Sequence, residues 1–346
     1  MSGKGVVIQG VLAFLVLLGA FFTWQRPPEL SVGETFVLNI TKNDLQKVRF
    51  EDEKGKAWAE LSKAEDPAGG YVAIRLSGFD STGVPLPSGH PGIPLKKPER
   101  LVRGNVGAEE IMARFAPLRA SRTLGVLDDD KLKELGLDKP EKFLEVTARG
   151  QTRRFAIVPA PPGGMDPYIQ DVKSKQVYVV ERRILHDLQA AATNLVDRRL
   201  QPFRIEDVDR LIVTAGDKKQ AFVASRIEDF PGIRLAPAET PDKPDATMKN
   251  WHDRVWKLFP TEVLGKGEIP ESGLPQVRIK VEYFGRGRPL GTTELATTGG
   301  ATAASSTDKP PPVETYAKSD LTLGWFLLSK EGEALLTEGE SLLARQ

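Results

Sequence analysis

The chain has three histidines, His90, His186 and His252, and none has the company that metal binding or acid–base catalysis requires. No H-E-x-x-H spacing occurs, which would put two imidazoles on one helical face. Asp253 follows His252, but neighbours on a helix point in different directions. All three histidines read as solvated or half-buried side chains. There is no G-x-S-x-G elbow and no Walker A phrase. GRGRPLG (Gly285–Gly291) has the glycines of a phosphate cradle, but it sits between strand-like stretches with no helix start behind it, so it reads as a β-turn. PAPPGGMDPY (Pro159–Tyr168) reads as another turn. DDDKLKE (Asp128–Glu134) is acidic enough for calcium but lacks the EF-hand pattern, and Asp128 or Asp129 reads as a helix cap. The absence of cysteine removes disulfides, thiolate metal sites and cysteine nucleophiles. These residues assemble no catalytic set, no metal site and no cofactor pocket.

Three other side chains suit recognition. Arg198 and Arg199 follow Asp197 at an expected helix end, where cations meet the negative end of the helix dipole and where a partner could be touched. Trp256 follows Val255 on an expected helix, off its inferred core stripe. An exposed tryptophan there suits a protein interface, because aromatics dominate interface energies; packing under a neighbouring loop is the alternative.

The elements that carry these residues begin with an oily segment. Residues 5–24 read GVVIQGVLAFLVLLGAFFTW, about 20 residues or roughly 30 Å of helix, enough for a bilayer core. Its anchoring side chains are Val6, Val7, Ile8, Leu12, Phe14, Leu15, Leu17, Leu18, Phe21, Phe22 and Trp24. Its apolar content favours insertion by about 4–7 kcal/mol before Gln9 and the glycines are subtracted. Lys4 precedes the segment, and Arg26 with Pro27-Pro28 follows it. A cleaved signal peptide fits less well, because the apolar run is long and Leu18 occupies the −3 position of the only small-residue site. The expectation is a cytoplasmic tip (1–5), a transmembrane signal anchor (6–24), a linker (25–37) and an exported body.

The body looks duplicated. HPGIPLKKPE (His90–Glu99) returns as FPGIRLAPAE (Phe230–Glu239) at a shift of 140 positions. The same shift aligns Ile111, Phe115 and Leu118 with Trp251, Val255 and Leu258, whose i, i+4, i+7 spacing predicts a docked helix in each copy. FLEVTARG (Phe143–Gly150) meets RIKVEYFG (Arg278–Gly285) at a shift of 135, each with strand alternation. Tyr168 onward meets Tyr316 onward at a shift of 148: a short strand, Val177–Val180 or Trp325–Leu328, then a helix. Asn43–Leu61 resembles Glu206–Ala224, each two strands around a turn at Gly55 or Gly216. The PGI-x-L phrase reads as the end of a sheet and the entry to the docked helix. The run ATTGGATAASSTDKPPP predicts a mobile loop at about 296–313. The resulting fold class is α+β: an N-terminal transmembrane helix, then two duplicated domains (38–203 and 204–346), each a mainly antiparallel sheet with docked helices.

This order of elements resembles a bacterial family of membrane-anchored proteins known as domain of unknown function 4340. The resemblance rests on the leading apolar segment, a helix ending in LRASRTLG (Leu118–Gly125), LGLDKP (Leu135–Pro140) before a strand, YIQDVKSKQVYVV (Tyr168–Val180), and a helix closing on NLVDRRLQPF (Asn194–Phe203). It covers roughly residues 40–220 well and the second half more loosely. Members look like accessory proteins of gliding-type ABC transporters, so the resemblance implies a periplasmic, single-pass location at the inner membrane and permease or auxiliary subunits as partners. It carries over no catalytic residue.

Lys and Arg total 48 against 47 Asp and Glu, and Lys4 is the only charged side chain before residue 25, so the body is neutral and has no evident pull on nucleic acid. The resulting expectation is a membrane-anchored, non-catalytic accessory or scaffold subunit engaged in protein–protein interaction, with the bilayer and a transport complex as its partners. Two alternatives stay open. One is a periplasmic enzyme acting on envelope glycan or lipid through a carboxylate pair assembled in space, and the other is a passive carrier with an apolar groove.

Overall fold

The computed structural model describes residues 33–52, 57–67, 69–79, 99–158, 166–226, 232–299 and 313–345, together with 13–14 and 16–17. Within the leading apolar segment only Ala13, Phe14, Val16 and Leu17 fall among these, and all four are helical. The rest of the expected anchor lies outside the described residues, as do His90 and the first PGI-x-L phrase. Among the described residues no helix is long and apolar enough to cross a membrane.

The chain is α+β and its strand pairings are antiparallel. The first half runs β1 (Thr35–Leu38), β2 (Leu45–Asp52), β3 (Ala57–Asp66), β4 (Gly69–Ser77), β5 (Arg100–Arg103), α1 (Val106–Arg114), β6 (Leu118–Ala120), β7 (Arg122–Val126), α2 (Asp129–Glu134), β8 (Lys142–Ala148), β9 (Gln151–Val158), β10 (Tyr168–Asp171), β11 (Gln176–Val179) and α3 (Arg182–Gln189). The second runs β12 (Arg210–Ala215), β13 (Lys218–Arg226), β14 (Ile233–Pro237), α4 (Ala246–Trp256), β15 (Glu262–Val263), β16 (Gln276–Gly285), β17 (Arg288–Thr297), β18 (Thr315–Ser319), β19 (Phe326–Leu327) and α5 (Glu331–Ala344).

The two large sheets order their strands β5-β4-β3-β2-β8-β9-β10-β11-β7 and β14-β13-β12-β16-β17-β18-β19-β15, while β1 and β6 form a separate two-stranded sheet. With β5 set aside, the two orders correspond strand for strand. The register follows the sequence shifts where these are 140 and 148: Thr123 faces Tyr178 in the first sheet, and Val263 faces Phe326 in the second. Elsewhere it departs by two residues. The β2–β3 hairpin closes on Asp52 and Ala57, while β12–β13 closes on Ala215 and Lys218, so the second turn is shorter. Val48 pairs with Val146, but its counterpart Leu211 pairs with Tyr283, not Val281. A pleat repeats every two residues, so an alternating pattern cannot tell these registers apart.

Two large apolar cores form among the described residues, with a smaller cluster around Leu137, Ala156 and Val177. Ile111, Met112, Ile184, Leu185 and Leu188 carry α1 and α3 onto Phe50, Leu61, Leu144 and Phe155 of the first sheet. Trp251 and Val255 of α4, with Leu335 and Leu336 of α5, cover Phe222, Val281 and Leu295 of the second. The Trp251 indole N–H donates to the Leu335 carbonyl at 2.8 Å, satisfying a buried polar group as it ties the two helices.

Several expected boundaries shift. α1 ends at Arg114, so Leu118 belongs to strand β6 and not to the helical stripe of Ile111 and Phe115. Pro117 explains this, since the residue before a proline leaves the helical region. In the second half α4 ends at Trp256, short of Leu258. The second PGI-x-L phrase is not a helix entry: Ile233–Pro237 is strand β14, which buries Ile233 and Leu235. The expected linker ends in β1, which pairs with β6. The expected loop at 296–313 starts later, because β17 runs through Thr297 and Thr298 still donates to the Glu314 carbonyl; residues 300–312 lie outside the described residues. GRGRPLG is a two-residue hairpin turn whose Arg286 and Gly287 both have positive φ, 52° and 72°. Asp128 caps α2, accepting from the Lys131 N–H at 2.9 Å.

The halves meet along β5. Arg100 lies 3.1 Å from Glu262 and 3.2 Å from Glu268. The Lys266 N–H donates to the Leu101 carbonyl at 2.8 Å, and Val263 packs against both cores. Arg103 donates to the Leu321 carbonyl at 2.9 Å, pairs with Asp66 and lies 3.9 Å over the Tyr71 ring.

Candidate interaction groove

Beyond α3 the chain forms one π-helical turn, Ala191–Leu195, and then runs extended. Arg198 and Arg199 therefore stand past the helix end and not in its last turn. The segment is pinned to β5 and the start of α1. Gly104 and Val196 form a bridge, Asp197 N–H donates to the Arg103 carbonyl at 2.8 Å, and Asn105 N–H donates to the Leu195 carbonyl at 2.8 Å. Asn105 also caps α1, accepting from the Ala108 N–H at 3.2 Å. Asp197 is buried and accepts from the Arg199 guanidinium at 3.0 and 2.8 Å. That pair orients Arg199 toward solvent while satisfying the buried acid.

Across from this segment lies the end of α4. Trp256 is half-buried, its ring centroid 5.6 Å from both Phe203 and Tyr283. Packing is thus the outcome for most of the ring, and its exposed part faces a groove. Phe259, 68% exposed, lies beneath the Arg198 guanidinium at 5.8 Å. Arg198, Arg199 and Trp256 accordingly line one groove of about 790 Å³, joined by Arg204, Lys257 and Phe259. Sequence reasoning missed these last three. Their only signal was position: Phe259 and Lys257 lie just past a helix end, before Pro260.

Behind the groove wall is a buried polar pair. His252 is fully buried, not half-buried as the sequence suggested, and its ring is 5.7 Å from that of Tyr283. Neither imidazole nitrogen has a hydrogen-bond partner among the described residues. Burial pushes the imidazole down to about 4, and it pushes the Tyr283 phenol up. His186, by contrast, sits at the surface 3.5 Å from Asp187.

Carboxylate pairs exist but are tied up. Glu51 and Glu60 share Arg49, and Glu51 also binds Arg154, while Glu262 and Glu268 share Arg100. Where surroundings clearly move a carboxyl, they move it down, opposite to a general acid. Arg149 holds Asp44 low, and the Lys131 N–H does so for Asp128. Burial works to raise Asp171, but donation from the Ser174 N–H, Arg153 and the Lys173 N–H outweighs it. No group of three or more potential metal ligands occurs among the described residues. A second cleft of about 630 Å³ opens between α1 and the β3–β4 hairpin, with Leu45, Val72 and Met112 in its floor and Lys42, Lys63, Glu65 and Glu109 around it.

Comparison with protein-family models, with characterised proteins and with solved structures finds no match for this chain.

Proposed function

We propose that the chain is a single-pass accessory subunit at the bacterial inner membrane. Its leading helix holds the body on the extracytoplasmic side, where it binds and braces a membrane complex without catalysing a reaction. The observation that carries this reading is the junction groove, which gathers two arginines, a half-buried tryptophan and an exposed phenylalanine in one concave surface. Arg and aromatic side chains in such a setting are the usual anchors of protein interfaces. The shared strand order supports a body made of one unit used twice. The resemblance to the domain of unknown function 4340 family makes an ABC-type exporter the proposed partner complex.

A glycan- or lipid-cleaving enzyme is less well supported, because the paired carboxylates are neutralised by arginines. Affinity purification of the full-length chain from detergent-solubilised membranes tests the proposal. Permease and ATPase subunits should be recovered in fixed proportion to it; recovery of the chain alone would reject the reading.

A further inference from the structure

The geometry points to an acidic, aromatic-bearing extended segment of a partner protein as the occupant of the groove between the two halves. This deepens the binding role proposed above and rests on it. Four cations and one acid line the groove, and the acid, Asp197, is already engaged by Arg199. No carboxylate among the described residues pairs with Arg198, Arg204 or Lys257. Asp207 accepts from the Arg204 backbone N–H at 3.3 Å and Glu109 acts on Arg199, yet the lining itself carries an excess of positive charge on a chain whose overall formal charge is only +1. Charge complementarity selects an anion, and guanidinium groups suit carboxylates.

The remaining lining separates a peptide from a lipid headgroup. Phe259 is 68% exposed and lines the same groove as Trp256, so the lining offers aromatic surface to a flat apolar side chain. Thr193 and Asn194 are exposed along the same groove; the Thr193 hydroxyl donates to the Ala190 carbonyl at 3.0 Å and can still accept, and the Asn194 side-chain amide offers the donor and acceptor a main chain needs. A lipid headgroup would use the cations and the neutral groups but has no flat apolar side chain to cover the aromatic surface.

The test uses the full-length chain in detergent and fluorescein-labelled short peptides read by anisotropy. One peptide alternates glutamate with phenylalanine, a second replaces glutamate by lysine, and a third replaces phenylalanine by serine. The first should bind more tightly than either control and weaken as salt is added. Its affinity should fall about tenfold or more in Arg198→Ser/Arg204→Ser/Lys257→Ser, and separately in Phe259→Ser, with thermal midpoints unchanged. The single variant Arg204→Ser, at an exposed position, gives the same direction of change should the triple variant lose its fold. Equal binding of the lysine peptide, no binding of the acidic one, or binding that survives the variants overturns the inference. So does phosphatidylglycerol vesicle binding that the same variants abolish while peptide binding persists, which would assign the cations to a headgroup. The two proposals fail separately. If the triple variant recovers the membrane partners as well as the native chain does, the groove assignment fails and the accessory role stands. If the native chain recovers none, the accessory role fails and the titration still decides the groove.

Discussion

His252 is an imidazole without a hydrogen-bond partner among the described residues, packed against Trp256 and Tyr283 with Lys249 and Asp253 as its charged neighbours. It stays neutral in the folded chain until about pH 4, whereas the unfolded chain takes up the proton near 6.5. Between those values the unfolded state binds more protons, so this residue's contribution is complete above about pH 6.5 and is lost as the pH falls toward 4. The loss should amount to about 3 kcal/mol. Urea denaturation across this range should show that slope, and His252→Leu should flatten it; an unchanged slope would mean that the imidazole is hydrated. Which histidine is buried was not legible from the sequence. A histidine between Trp251 and Asp253 looks the same whether its helix face meets a core or water, and only the partner strand carrying Tyr283 decides it.

Helices α4 and α5 show how an element is held. Gly339 lets α5 approach closely, since a β-carbon there would meet the Ile279 Cδ1 at 2.6 Å and the Trp251 Cζ2 at 2.8 Å. Gly339→Leu should therefore cost about 1–3 kcal/mol despite leucine's better helix propensity, measured as a lower denaturation midpoint with far-ultraviolet dichroism retained. At the first docked helix, Asn105→Ala removes the side chain that accepts from the Ala108 N–H and donates to the Asn194 carbonyl at 2.9 Å. A loss of about 1 kcal/mol is expected by the same assay. Element types were largely readable: alternation at Leu144/Val146 and Ile279/Val281 marked strands, and the Asp128-Asp129 pair marked a cap, which Asp128 supplies. Ends were not. Pro117 outweighed the periodicity that carried Leu118 into a helix, and β14 is a strand where Pro and Gly suggested a turn.

At the scale of the molecule, the α+β class and the mainly antiparallel sheets were legible in the sequence, but the junction was not. Nothing in the spacing of Arg100 and Glu262 brings them together; β5, which has no counterpart in the second sheet, does so. Arg100→Met should leave the part-buried Glu262 and Glu268 without their shared cation and cost about 1–3 kcal/mol, seen by calorimetry as a lower or split transition. A midpoint equal to that of the native chain would show that this ion-pair cluster adds nothing to the junction, leaving it to the Lys266–Leu101 and Arg103–Leu321 hydrogen bonds and to apolar contact. The groove was equally hidden, because residues 198–204 and 256–259 adjoin only after both halves have folded. The proposed accessory role requires the body to stand outside the cytoplasm on an uncleaved anchor. Protease added to intact spheroplasts tests this most directly, combined with alkaline carbonate washing of their membranes. The account predicts a full-length chain that resists the wash and whose body is digested from outside. A chain released by the wash, or one protected until the cells are lysed, would contradict it.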